Sequence, residues 1–193
     1  MKTHTVRLTI AAALAACLLV LAGCSTGSAD LDAAISQANV HLQKAAGFEE
    51  QVKPLVTRLS GVKYSRAGAA AGLRVTTALT KAIAAEKAEL VAARASLASV
   101  QTLSVKDEFK KYARLEVAAI DTRIKIADAG AKLYTETGKV YAALRDAKGA
   151  VPDLGTVSAT MDAITSDIAT LTVQAGAQSR AAADYFVTQK LGQ

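Results

Sequence analysis

The sequence predicts an all-α protein, an elongated antiparallel bundle of about four long helices in up-down-up-down order. Three observations carry this expectation. Beyond residue 30 the apolar residues recur at alternating steps of three and four, the helical period, and no stretch alternates with the strand period. The connections between periodic segments, at 61–65, 103–104 and 149–152, are too short for crossovers, so consecutive helices must fold back on one another. Only 2 prolines interrupt 193 residues that are 51% hydrophobic and 4% aromatic, enough apolar material to offset chain entropy without a disulfide framework.

The first helix is expected over about 30–60, with Leu31, Ile35, Ala38, Leu42, Ala45, Val52, Val56 and Leu59 on one stripe. Ser28 or Asp30 can cap its start and Ser60-Gly61 can end it. Pro54 lies inside the pattern, where it removes an internal hydrogen bond, so a kink or break is expected between Gly47 and Pro54. A second helix, 66–102, carries Leu73, Leu79, Ile83, Leu90, Ala93, Leu97 and Val100. The third should start at an N-cap on Ser104 and run to about Lys148, before Gly149. Its apolar residues form two stripes, Phe109, Ile120, Ala127, Ala131, Tyr134 and Tyr141 on one and Ile126, Leu133 and Val140 on the other, which suits packing against two neighbours. The fourth, 153–190, keeps an unbroken 3-4 spacing through Leu154, Val157, Met161, Ile164, Ile168, Leu171, Ala175, Gln178, Ala182 and Tyr185, the pattern of long, nearly parallel or antiparallel packing.

The segment ahead of this body is different. Lys2, His4 and Arg7 form a basic start, and residues 8–22, LTIAAALAACLLVLA, form an apolar run. At about 15 residues the run is short of the ~20 that a spanning helix needs and fits the core of a secretory signal. It ends in Leu21-Ala22-Gly23-Cys24, which resembles the lipobox of bacterial lipoproteins: an aliphatic residue, two small ones and a cysteine. The residue types suit the chemistry, since small side chains admit an extended backbone to a protease cleft and alkyl transfer needs a sulfur nucleophile. The resemblance implies a diacylglyceryl thioether on Cys24, cleavage before it, acylation such as palmitate on the new amino terminus, and a place in the cell envelope on the extracytoplasmic side. Ser25 follows the cysteine where inner-membrane retention uses aspartate, which in a diderm cell implies the outer membrane.

On this reading residues 1–23 are a removed signal, 24–29 a lipidated cysteine and short tether, and 30–193 the helical domain. Loss of Lys2 and Arg7, with no acid, takes the formal charge from +6 to +4. So small an excess suits a domain near an anionic lipid surface and does not point to nucleic acid.

The catalytic inventory after residue 24 is thin. His41 is the one histidine left, so neither a di-metal carboxylate site with two Glu-x-x-His pairs nor a bis-histidine haem fits one chain, and no cofactor is expected. Cys-x-x-Cys, G-x-S-x-G and G-x-x-x-x-G-K-[ST] are absent from residues 30–193. His41 reads as an ordinary helix position. An enzyme would need carboxylates gathered in a cleft, for example among Glu86, Glu89, Glu108 and Glu116. Lys106, Lys110 and Arg114 share a face, yet Asp107 to Lys111, Asp121 to Lys125 and Asp128 to Lys132 are acid-first i to i+4 pairs, so a neutralised, solvated face is expected there. Gly68-Ala-Ala-Ala-Gly72 reads as a frayed helix start or a close helix contact, and Gly130, Gly138 and Gly176 as bends or tight crossings.

Tyr134, Tyr141 and Tyr185 fall on apolar stripes, where core packing with wetted hydroxyls is the ordinary reading and an aromatic-lined slot the functional one. The expectation is therefore a non-enzymatic envelope lipoprotein acting through a protein partner or self-association. The alternative is a bundle that holds a small apolar or aromatic ligand.

Overall fold

A computed structural model of the chain describes residues 29–147 and 155–191. Four long helices follow one another: α1 (Ala29–Ser60), α2 (Arg66–Ser99), α3 (Asp107–Asp146) and α4 (Gly155–Thr188), with one 3-10 turn, Val100–Thr102, finishing α2. Among the described residues there is no strand. The lipobox and Ser28 lie outside the described residues, as do the residues between Ala147 and Gly155.

Neighbours in sequence are neighbours in space: α1 packs on α2, α2 on α3, and α3 on α4. The order of contacts shows the antiparallel sense. Along α2 from Gly72 through Thr76 and Ile83 to Lys87 and Arg94, the facing residues on α3 descend from Tyr141 through Gly138 and Gly130 to Asp128 and Asp121. At 1.5 Å per residue, the 32 residues of α1 span about 48 Å and the 40 of α3 about 60 Å. One pole therefore gathers the end of α1, the start of α2, the end of α3 and the start of α4. The other gathers the start of α1, the 100–106 connection and the end of α4.

The two stripes of α3 divide the core. Leu79, Ile83, Ala127 and Tyr134 pack with Val52 and Val56 of α1, and Ala38, Ala45, Leu90, Ala93 and Ile120 continue that seam. On the other stripe Ile126 and Leu133 meet Ile164, Ile168 and Ala175 of α4. α4 leans on α3 alone for its extensive packing, and Val173 stays 73% exposed on its outer face. At the second pole Tyr112 meets Phe186 at 5.2 Å between ring centroids and packs with Ala182 and Leu191.

Four local expectations change. The break allowed for near Pro54 does not occur: α1 continues through it, because the proline faces solvent and the Glu50 carbonyl it leaves unpaired sits on the exposed side of the helix, where water can satisfy it. Ser104 does not cap α3: the helix starts at Asp107, with Lys106 in the cap position and no side-chain cap bond, while Asp107 and Glu108 supply negative charge to the first turn. Asp121 and Asp128 pair across the groove, with Arg94 at 2.5 Å and Lys87 at 2.6 Å on α2, rather than with lysines one turn along. α2 begins with a true cap, Ser65 accepting from the Gly68 amide, so its start is ordered and not frayed.

The glycines at crossings follow from close approach. A Cβ at Gly72 would lie 2.4 Å from the Tyr141 ring, so this glycine lets the ring lie flat against α2. Gly130 and Gly138 lie against Ile83 and Thr76, whereas a Cβ at Gly176 would meet the Arg180 guanidinium at 4.0 Å, and α3 and α4 continue through these glycines.

Candidate functional site

Two polar features stand out in an otherwise alanine- and leucine-filled core. The first is a charged cluster where α1, α2 and α3 meet. Glu49 of α1 and Glu86 of α2 are each 8% exposed, and the Arg123 guanidinium of α3 approaches the Glu49 carboxylate at 3.8 Å. That distance is an ion pair and too long for a hydrogen bond. Arg123 Nε is buried with no hydrogen-bond partner. Burial pushes the Glu86 carboxyl up to about 7; Arg123 pulls the other way and the Glu49 charge adds to the rise. Glu49 is raised for the same first reason, offset in part by Arg123 and Lys53.

Along α3, Glu116 is also raised by burial, against a 3.0 Å hydrogen bond donated by the Tyr112 hydroxyl and the field of Arg123. A turn from Glu86 on α2, Glu89 meets His41 Nδ1 at 2.6 Å. Of the four carboxylates singled out in the sequence, Glu86 and Glu116 thus share the influence of Arg123, Glu89 is held by His41, and Glu108 is exposed at the start of α3. Glu49 and Arg123 were missed. The available signal was positional: both sit in register with apolar stripes, Glu49 between Ala45 and Val52, Arg123 between Ile120 and Ala127. Among the described residues no set of three or more His, Cys, Asp or Glu is arranged to hold a metal ion.

The second feature is an open groove of about 460 Å³ between α2 and α3, walled by Leu73, Thr76, Thr80 and Lys81 on one side and Tyr134 and Gly138 on the other. Tyr134 is 4% exposed and its buried hydroxyl has no hydrogen-bond partner; burial holds the phenol up to about 12. Thr76 spends its proton on the Gly72 and Leu73 carbonyls, and Thr80 on that of Thr76, so their oxygens can only accept.

The three tyrosines do not line one slot. Tyr141 lies one helical heptad beyond Tyr134 but is closed over by Gly72, stacked on Tyr64 at 5.0 Å and 4°, with its hydroxyl donating to the Val62 carbonyl. Burial and the neighbouring Tyr64 hydroxyl hold Tyr141 up to about 12. Tyr185 is at the far end of α4, half-buried, with the Lys111 ammonium 4.7 Å from its ring centre. No described helix is long and apolar enough to cross a membrane.

Comparison with family models, with curated proteins and with solved structures finds no match to this chain, so the residues and their geometry are the whole basis for a functional reading.

Proposed function

We propose that this chain is a cell-envelope lipoprotein, anchored through acyl chains on Cys24, whose helical domain is non-enzymatic and works by contact with other envelope components. One observation carries the proposal: a basic start, a short apolar run and Leu21-Ala22-Gly23-Cys24, followed almost at once by the first turn of α1 at Ala29. A folded body that begins so soon after the cysteine is held within a short tether of whatever the cysteine is attached to. Each acyl methylene buried in lipid contributes about 0.8 kcal/mol, and two or three chains exceed what stable attachment requires. A contact role draws support from long outer helix faces, above all that of α4, whose extensive packing is with α3 alone.

The test is fractionation of cells expressing the parent and Cys24→Ala. The parent is expected in the membrane fraction and the variant in the soluble extracytoplasmic fraction. Equal membrane retention of both would show that lipidation is not the anchor. A second reading, a binding module for a small apolar or aromatic ligand, is favoured by the groove at Tyr134 and its unpartnered hydroxyl. Its aromatic lining comes from Tyr134 alone among the three tyrosines.

A further inference from the structure

Between Glu50 and Glu86 the chain carries Lys53, Arg58, Lys63, Arg66, Arg74 and Lys81 and not one acidic residue. The fold places Arg58, Lys63 and Arg66 at the pole where α1 ends and α2 begins, and Arg74 and Lys81 follow along α2 to about its middle. Lys53 is answered by Glu50 at 2.5 Å, but Arg58, Lys63, Arg66, Arg74 and Lys81 are exposed and in no ion pair with another described residue. The acids that α3 brings to this pole are already engaged, Glu136 with Lys139 and Asp146 with Arg145. Asp162 and Asp167 stand on α4, whose extensive packing is with α3. Among the described residues the first half of α2 therefore carries unneutralised positive charge, in contrast to its second half, where Lys87 and Arg94 meet Asp128 and Asp121.

The cations are also ordered. Steps of eight and seven residues keep Arg66, Arg74 and Lys81 on one face of α2, within an arc of roughly 80° and about 11 Å apart along the axis. Exposed cations at that spacing address successive charges on a chain rather than one compact anion. Lys81 is at the same time a wall of the groove, beside threonine oxygens and the apolar side chain of Leu73.

We propose that the α2 face carrying Arg66, Arg74 and Lys81, with the adjoining α2–α3 groove, binds a linear acidic polysaccharide, a glycan bearing carboxylate or phosphate groups. The cations meet its charges, and the groove offers hydroxyl acceptors and an apolar floor to its sugar rings. A single-stranded nucleic acid is disfavoured because it would need a row of free aromatic platforms, and Tyr64 is the one exposed ring among the described residues. An anionic bilayer would use the cations and leave the groove idle, and the face lacks the large apolar side chains of an interfacial helix. The inference deepens the contact role proposed above and rests on it, but not on the lipid anchor.

The test uses the full chain in neutral detergent, with polygalacturonate and a phosphorylated dextran as probes. Uncharged dextran, phosphatidylglycerol vesicles and a single-stranded oligonucleotide run beside them. At least one acidic polymer is expected to bind, and dextran not. The triple variant Arg66→Gln, Arg74→Gln, Lys81→Gln should weaken binding tenfold or more with unchanged circular dichroism. Lys106→Gln with Lys110→Gln, at the opposite pole, should stay within about twofold. Doubling the salt should weaken binding about fourfold if the three cations each neutralise one charge. No binding of either polymer, equal loss in the two variants, or tighter binding of vesicles or oligonucleotide than of both polymers would overturn the proposal. Failure of Cys24→Ala to release the chain from membranes would leave this comparison standing, and loss of polymer binding would leave the anchor standing.

Discussion

Replacing Glu86 by glutamine should stabilise this protein, and only above a certain pH. Glu86 titrates at about 7 in the folded chain against 4.5 for an ordinary glutamate, with burial as the largest cause. Between those values the folded state holds a proton that the unfolded state has released, so stability falls as pH rises. The contribution is fully present below about 4.5 and is lost as pH passes through about 7. At about 1.36 kcal/mol per unit, a rise of this size amounts to roughly 3 kcal/mol between the two limits. Glutamine resembles the protonated acid in shape and has no charge to desolvate. Glu86→Gln should therefore match the parent near pH 4.5 and exceed it by up to about 3 kcal/mol near pH 8.5. For a domain of this length that is a rise of about 6 to 12 °C in Tm. Urea or thermal unfolding followed by circular dichroism at half-unit steps from pH 4.5 to 8.5 would show the two curves diverging. Parallel curves would refute the reasoning. A variant less stable than the parent at pH 8.5 would show that attraction to Arg123 outweighs the cost of burying the charge.

Three further outcomes follow from the packing. Gly72→Ala should destabilise by about 1 to 3 kcal/mol, since a Cβ 2.4 Å from a fully buried tyrosine ring must displace it, and this exceeds the helix-propensity gain of about 1 kcal/mol. Gly47→Ala, on the exposed side of α1 with nothing within 4 Å, should gain up to about 1 kcal/mol in the same unfolding assay. Tyr134→Phe should be neutral or stabilising by about 1 kcal/mol, because it removes a buried hydroxyl that bonds to nothing; a loss of that size would reveal a partner in the groove.

The helices and their order were legible in the sequence because a 3-4 period repeated over thirty or forty residues is a collective signal, and the loss of one position does not erase it. The two stripes of α3 likewise named both of its neighbours. The terminal turns were less legible: Ser104 and Ser65 are both good cap residues, and only the path of the chain into the helix decides that Ser65 caps and Ser104 does not. A break at Pro54 was not needed because the cost of a missing amide depends on whether the orphaned carbonyl meets water, a property of the face and not of the residue. The charge pairs failed for a related reason. Asp121 and Asp128 satisfy the i to i+4 rule with Lys125 and Lys132, but α2 brings Arg94 and Lys87 to the same carboxylates from across the seam.

The buried acids carry this point furthest. On a one-dimensional pattern Glu49, Glu86 and Arg123 are polar interruptions of apolar stripes, each cheap to explain as a residue at the stripe's edge. Brought together, they place two carboxyls and one guanidinium at the junction of α1, α2 and α3, with an Nε that finds no acceptor. Such a cluster is hard to justify as a source of stability, since well-packed leucines in the same volume would avoid the desolvation cost. The cluster does penalise slip: sliding α1 or α2 by one turn would take a buried carboxyl away from Arg123. That penalty adds to the one imposed by the large buried side chains of the same core, among them Leu79, Leu90 and Ile120, beside alanines that by themselves would dock almost equally well one turn apart.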